Sequence, residues 1–350
     1  MDNMQNPFNL ILGLEPTSVV NRIEQTNEIV STFMSNNPTS LLYVISGVRG
    51  SGKTVFMQSV ADTIMQNSKK GEWIEIDLNP ETDLLENFAA SLSRNNILEN
   101  TFLKADISFS IFGATLTFGS KDKCTSVEVA IDRMLEIVSK LDKKILITID
   151  EVTSKETLRV FASQYQIWLR KKYPVFLLMT GLFENIRNLQ DTDSLTFLYR
   201  APKIDIKPLG IKGMSVAYKK FFDISDDEIK EMALFTKGYS YAYQVLGYLK
   251  WRNPKASIEE LTPEFDVYME DNVYEKIWSG LSEGDKQIIG ILAKNGKMKT
   301  KNIQELSGNT SSSYSTYRRR LQQKGLICTD EYGTAELSLP RFGEIILEWI

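Results

Sequence analysis

Five short segments of the chain carry the spacing of strands, near residues 41–46, 72–78, 144–149, 174–179 and 203–207. Three of them sit in long apolar runs: "LLYVISG" (41–47), "KKILITIDEV" (143–152) and "YPVFLLMTGL" (173–182). Apolar runs of this length, rich in β-branched and aromatic residues, suit strands buried on both faces of a parallel sheet. Helical spacing separates the strands, so the pattern predicts an α/β core with helices on both faces of the sheet. A period of two interrupts it at 105–119. There Ile107, Phe109 and Ile111 alternate with Ser108 and Ser110, Gly113 marks a turn, and Thr115 and Thr117 alternate with Leu116 and Phe118. That segment reads as an inserted β-hairpin. It carries no Lys or Arg, which favours packing or subunit contact over contact with DNA.

The pattern changes after Pro208. Residues 209–281 read as all helix, with "SDDE" (225–228) as a capping box, Gly238 ending one helix, a second over Tyr239–Trp251, and Pro263 starting a third. The last 70 or so residues read differently again. A helix places Ile288, Ile289, Ile291 and Leu292 inward and stops at Gly296; a short one places Ile303 and Leu306 inward; a third, within 312–327, places Tyr314, Tyr317 and Leu321 inward. "CTDEYGTAELSLP" then alternates around Gly333 as a two-stranded wing does. Three helices and a wing make a winged helix-turn-helix.

Composition narrows the chemistry. The chain has 350 residues, 42% hydrophobic and 25% charged, ordinary for globular domains with real cores. It has no histidine, and its two cysteines, Cys124 and Cys328, lie far apart; zinc sites, histidine general bases and disulfide frameworks are excluded. No opening leader and no spanning apolar run are seen, so a reduced cytoplasmic setting without a membrane is expected. The net charge of −4 hides an asymmetry: residues 285–327 carry +7 and the remainder −11. A basic module on an acidic body is the footprint of local nucleic-acid binding.

Residues 47–54, "GVRGSGKT", have the spacing G-x-x-x-x-G-K-[ST] of a phosphate loop, between a strand and a helix of about 54–65. Gly47, Val48, Arg49, Gly50, Ser51 and Gly52 would turn backbone N–H groups toward phosphates, at a helix N-terminus that favours anions. Lys53 would pair with the β- and γ-phosphates and Thr54 would ligate Mg²⁺. "IDE" ends the strand at 144–149 in two acids, the second half of a phosphate-loop ATPase. Asp150 would hold Mg²⁺ through water, and Glu151 would orient and deprotonate the attacking water. Thr180, at the end of a third strand, would touch the γ-phosphate or the water, or cap the following helix.

Phosphate loop, "IDE" strand, polar strand end and "FLYRAPKIDIKPL" (197–209) together resemble the AAA+ superfamily, more narrowly the archaeal-type ATPases related to origin-recognition replication initiators. The resemblance covers nearly the whole chain. It implies an ATPase core over 1–208 with the hairpin at 105–119, a helical lid over 209–281 and a winged-helix domain over 282–350. It also implies that Arg200 is an arginine finger, acting on a neighbouring subunit's nucleotide in a homo-oligomer, and that Pro16 and Arg22 lie in an adenine-contacting segment. One feature departs from the family: after Gly238, where an arginine often senses the γ-phosphate, stand Tyr239, Ser240 and Tyr241. Slow hydrolysis, or ATP used as a switch, follows from that departure.

The third helix of the winged motif would enter the major groove of duplex DNA N-terminus first, placing Ser311, Ser312, Ser313, Ser315 and Thr316 near bases or phosphates, with Arg318, Arg319, Arg320 and Lys324 as basic contacts. The arginine triplet spans more than one helix face, so not all three can reach DNA. Ser and Thr read bases poorly, which implies modest sequence specificity. The expectation is thus an initiator-like, ATP-hydrolysing DNA-binding protein. The rival is an ATP-gated signalling, defence or mobile-element switch whose winged helix meets protein.

Overall fold

The computed structural model describes residues 6–11, 16–104, 107–111, 114–117, 122–123, 126–191, 193–329, 331 and 333–350. The chain divides into two compact units, one of Arg22–Ser46 with Phe56–Asp205, the other of Met1–Asn21, Gly47–Val55 and Ile206–Ile350.

The first unit is built on a sheet. Its strands in chain order are β1 (Leu42–Ser46) and β2 (Trp73–Leu78), then a small separate sheet of β3 (Ile107–Ile111), β4 (Ala114–Thr117) and β5 (Asp122–Lys123), then β6 (Lys144–Ile149), β7 (Val175–Gly181) and β8 (Lys203–Asp205). The five principal strands run parallel in the order β2-β6-β7-β1-β8. Every residue of β1 and β7 is buried, and all of β6 after Lys144, as strands covered on both faces require. Ile149 pairs with Met179, and Ser46 pairs with both Gly181 and Asp205, so the ends of four strands share one carboxyl edge. The Glu156–Arg170 helix buries Leu158, Phe161, Ala162, Tyr165 and Trp168, an i, i+3, i+4 stripe, against this sheet's core. The Tyr165 hydroxyl donates to the carbonyls of Leu41 (2.7 Å) and Val175 (3.1 Å), so its burial leaves no polar atom stranded.

β3 and β4 pair antiparallel, with Ser108 opposite Thr117 and Ile111 opposite Ala114, as a hairpin should. Gly113 and the ends of the 105–119 segment lie outside the described residues. β5 adds to β3 in parallel, which two residues of sequence could not announce.

The second unit is helical, with a small sheet near its end. Helices Ile211–Lys219, Asp226–Phe235, Ser240–Arg252 and Ile258–Met269 are followed by Glu283–Asn295, Thr300–Ser307 and Ser311–Gln323. β9 (Met298–Lys299), β10 (Ile327–Cys328) and β11 (Thr334–Leu337) form an antiparallel sheet in the order β10-β11-β9. The core is aromatic: Phe8 from the N-terminal arm packs against Tyr218, Phe221, Phe222 and Tyr243.

Two local expectations fail here. Pro263 does not start a helix. Ser257 caps that helix, accepting from Glu260 N–H while Glu260 accepts from Ser257 N–H, and Pro263 falls inside it. The reciprocal cap at Ser257 sets where the helix starts, upstream of the proline. Leu306 does not point inward; it is 59% exposed, and Ser307 is buried beside Ile303 instead. At four residues' spacing Ser307 stays nearer the buried face than Leu306 does at three. Among the described residues no helix is long and apolar enough to cross a membrane.

Candidate functional site

The phosphate loop follows β1 directly, at the edge where the strands end. Gly50 and Gly52 have φ of 74° and 87°, left-handed values that admit glycine at little cost. Ser51 N–H closes a turn on the Val48 carbonyl (3.2 Å). The Lys53 ammonium is buried and donates to the same carbonyl at 3.0 Å, lying back across its own loop. Lys53 also opens the Lys53–Asn67 helix, so Thr54 stands in its first turn.

Sequence reasoning missed what holds this loop from behind. The Tyr239 hydroxyl donates to the Arg49 carbonyl, Tyr241 N–H donates to the Gly50 carbonyl (3.1 Å), and the Ser240 hydroxyl donates to the Ser51 carbonyl (2.8 Å). Tyr239 is buried, and burial pushes its phenol far above the usual range. A Cβ at Gly50 would stand 2.3 Å from that hydroxyl oxygen. These contacts place Gly47–Val55 with the helical unit. On its other flank the loop meets the C-terminal module: a Cβ at Gly325 would lie 3.7 Å from Val48 Cβ.

The N-terminal arm is tied to the same lid helix. Gln244 donates to the Ser18 carbonyl (2.7 Å) and accepts from Asn9 N–H (3.1 Å), and the Ser18 and Tyr243 hydroxyls lie 2.5 Å apart. Pro16 is buried in this arm. Arg22, in the other unit, precedes the Ile23–Phe33 helix, and burial lowers its guanidinium to about 10.

The acidic half of the constellation belongs to the sheet. Thr180 is fully buried; its hydroxyl donates to the Asp150 carboxylate and accepts from Glu151 N–H (3.2 Å). The helix after β7 is capped at Leu182, not Thr180, which removes the capping alternative for that residue. Glu151 is exposed and has φ of 51°, a left-handed value that costs a non-glycine residue on the order of 1 kcal/mol or more. Asp77, next to last in β2, also went unnoticed. It pairs in register with Thr148 and accepts that side chain's hydroxyl. Partial burial and the nearby Asp150 charge raise its carboxyl. The signal was an acid next to last in an alternating strand, "WIEIDL".

Arg200 closes a 3-10 segment, Asp193–Arg200, and is exposed just before β8. Among the described residues no group of three or more Asp, Glu or Cys is arranged to hold a metal.

In the C-terminal module, Thr310 caps the Ser311–Gln323 helix, accepting from Ser313 N–H. Tyr314 and Leu321 are buried. Ser312, Ser315, Thr316 and Arg319 are exposed at spacings of three and four, on one helix face, and Ser313, Arg318 and Lys324 flank it half-buried. Arg320 stands apart from the other two arginines. Its guanidinium pairs with buried Asp285 (2.7 Å), donates to the Ser282 hydroxyl (2.6 Å) and lies over the Tyr317 ring. The charge seen at Arg320 in the sequence is therefore engaged in joining two helices. Lys286, Lys297 and Lys301 likewise pair with Glu283, Glu331 and Glu305.

No curated protein matches the chain. Residues 271–346 match a family model described as a domain of unknown function, DUF8462. Solved structures similar to the whole chain include a Walker-type ATPase of Pyrococcus abyssi, 15% identical with a TM-score of 0.65, over 94% of this chain and 96% of that one. They also include the Aeropyrum pernix ORC2 protein in its ADPNP–ADP complexes, 11% identical with a TM-score of 0.64, over 97% and 96%. At such identities the likeness is one of fold. A five-stranded parallel sheet flanked by helices, matched over nearly its full length by these two structures, gives the chain the α/β fold of a phosphate-loop ATPase.

Proposed function

We propose that this chain binds and hydrolyses ATP with Mg²⁺ and engages duplex DNA through its C-terminal module, in the manner of a replication initiator. The observation that carries the reading is the phosphate loop: two left-handed glycines, and a buried lysine lying on the loop's own carbonyl. In that role Lys53 exchanges the Val48 carbonyl for β- and γ-phosphate oxygens. Gly50 and Gly52 N–H groups meet the phosphates. Thr54 and Asp150 would each offer a hard oxygen of the kind Mg²⁺ takes alongside phosphate oxygens and water. Bound Mg²⁺ supplies charge neutralisation at the transferring phosphoryl group. Thr180 fixes Asp150 through its hydroxyl, and Glu151 orients the attacking water. Arg200, exposed, is read as a finger for a neighbouring copy's nucleotide, and the segment holding Pro16 and Arg22 as the adenine side.

We read residues 1–208 as the ATPase core, 209–281 as the lid and 282–350 as a winged helix-turn-helix. The face carrying Ser312, Ser315, Thr316 and Arg319 is assigned to DNA, flanked by Ser313, Arg318 and Lys324; Arg320 is assigned to holding the helix in place. The Val48–Gly325 approach offers a route by which loop geometry bears on that module. A second reading, an ATP-gated switch whose module meets protein, is favoured by one observation, the absence of an arginine after Gly238.

Two variants test the nucleotide chemistry. Lys53→Ala abolishes ATP binding in calorimetry; wild-type affinity there would remove the site. Glu151→Gln keeps ATP binding and loses turnover by about 100-fold or more. Undiminished phosphate release would move the base to another residue.

A further inference from the structure

We infer that Tyr239, Ser240 and Tyr241 form a backbone latch on the phosphate loop, taking the place of a phosphate-sensing arginine and tying the lid to the α- and β-phosphates of a nucleotide. The inference rests on the reading of residues 47–54 as a nucleotide site.

Three successive lid residues take three successive loop carbonyls, those of Arg49, Gly50 and Ser51. A trans peptide is planar, so its carbonyl and the following N–H point in opposite directions. Turning the Arg49 and Ser51 carbonyls to the lid therefore turns the Gly50 and Gly52 N–H groups away from it. Ser51 N–H is already used, closing the turn on Val48. The latch thus presets two of the loop's donors. Such donors cradle the α- and β-phosphates, whereas a lysine or arginine side chain reaches the γ-phosphate. A lid coupled through them responds to ADP and ATP alike.

The fit is specific to these residues. The Tyr239 hydroxyl is buried and, held far above its usual range, remains a donor. Gly50 leaves no room for a Cβ beneath it. The Ser240–Arg252 helix that carries the latch also grips the N-terminal arm through Tyr243 and Gln244. One helix therefore positions the phosphate loop and the arm together. Tyr239 and Ser240 are positioning residues, since they act through the loop's backbone.

The test uses the full chain with Tyr239→Phe and Ser240→Ala, singly and together, and Lys53→Ala as a control on the site itself. Two readouts are taken: hydrogen exchange over residues 47–53 without nucleotide, and affinity for ATP and for ADP. In the double variant, exchange over the loop speeds up, and both affinities fall by the same factor, about 30-fold if two hydrogen bonds of ordinary net strength are lost. Ser240→Ala alone, which removes no buried ring contact, gives a smaller fall with the same ATP-to-ADP ratio. Unchanged exchange and affinities overturn the latch, as does a loss confined to ATP, which would make these residues γ-phosphate sensors. Failure of the nucleotide reading looks different: Lys53→Ala then binds ATP like the wild type, or neither chain binds it, while loop exchange still judges the latch independently.

Discussion

The lid helix Ser240–Arg252 and the third helix of the C-terminal module, Ser311–Gln323, are equally long, at 13 residues each. The lid helix buries eight residues, so almost every face is taken by its own chain. The third helix buries only Tyr314 and Leu321 and turns a polar face outward. The first begins on loop carbonyls; the second begins with a serine-rich turn that nothing described in the chain covers from outside, Ser312 and Ser315 being exposed. Two helices of one unit have thus been put to opposite uses. One transmits geometry inside the molecule, and the other is kept for something beyond it.

That contrast can be broken by stability measurements. Gly247→Ala on the lid helix should cost most, about 3 kcal/mol, because a Cβ there would stand 2.3 Å from the Phe8 ring. A melting temperature unchanged by this variant would mean that the arm does not pack on the helix as described. Next comes Arg320→Met, expected to cost about 2 kcal/mol by stranding the buried Asp285 carboxylate; the figure sits below that for a fully buried pair because Arg320 is 38% exposed. If instead Arg320→Met leaves stability alone and weakens DNA binding, the division of labour within the arginine triplet is wrong. Smallest in stability is Arg319→Gln with Lys324→Gln, within about 0.5 kcal/mol of wild type. These two should nonetheless lower DNA affinity and reduce the log–log salt slope by about 2. An unaltered slope would take the third helix out of the DNA contact.

Much of the fold could be read before the structure was seen. β1, β6 and β7 were legible because continuous burial leaves continuous apolar runs, and the phosphate loop because its glycines and lysine are demanded residue by residue. Thr180 was legible as a polar strand end but not in its role, since the Asp150 carboxylate that it contacts comes from a different strand. The latch was hidden for a sharper reason. Its acceptors are backbone carbonyls, which every residue possesses, so no residue type on the loop announces them. The Asp285–Arg320 pair was misread because a charge in sequence shows its sign and not its partner. Leu306 failed because helical periodicity fixes a face only to within one neighbouring position on a short helix.

The central claim is that nucleotide chemistry and DNA engagement belong to one machine. The most direct measurement is ATP turnover by the purified chain, with and without duplex DNA, across a salt series. The account predicts turnover that DNA stimulates and that loses its stimulation as salt rises, as binding through phosphate contacts does. Turnover indifferent to DNA, with no DNA bound even at low salt, would contradict it and leave a nucleotide switch whose C-terminal module serves another partner.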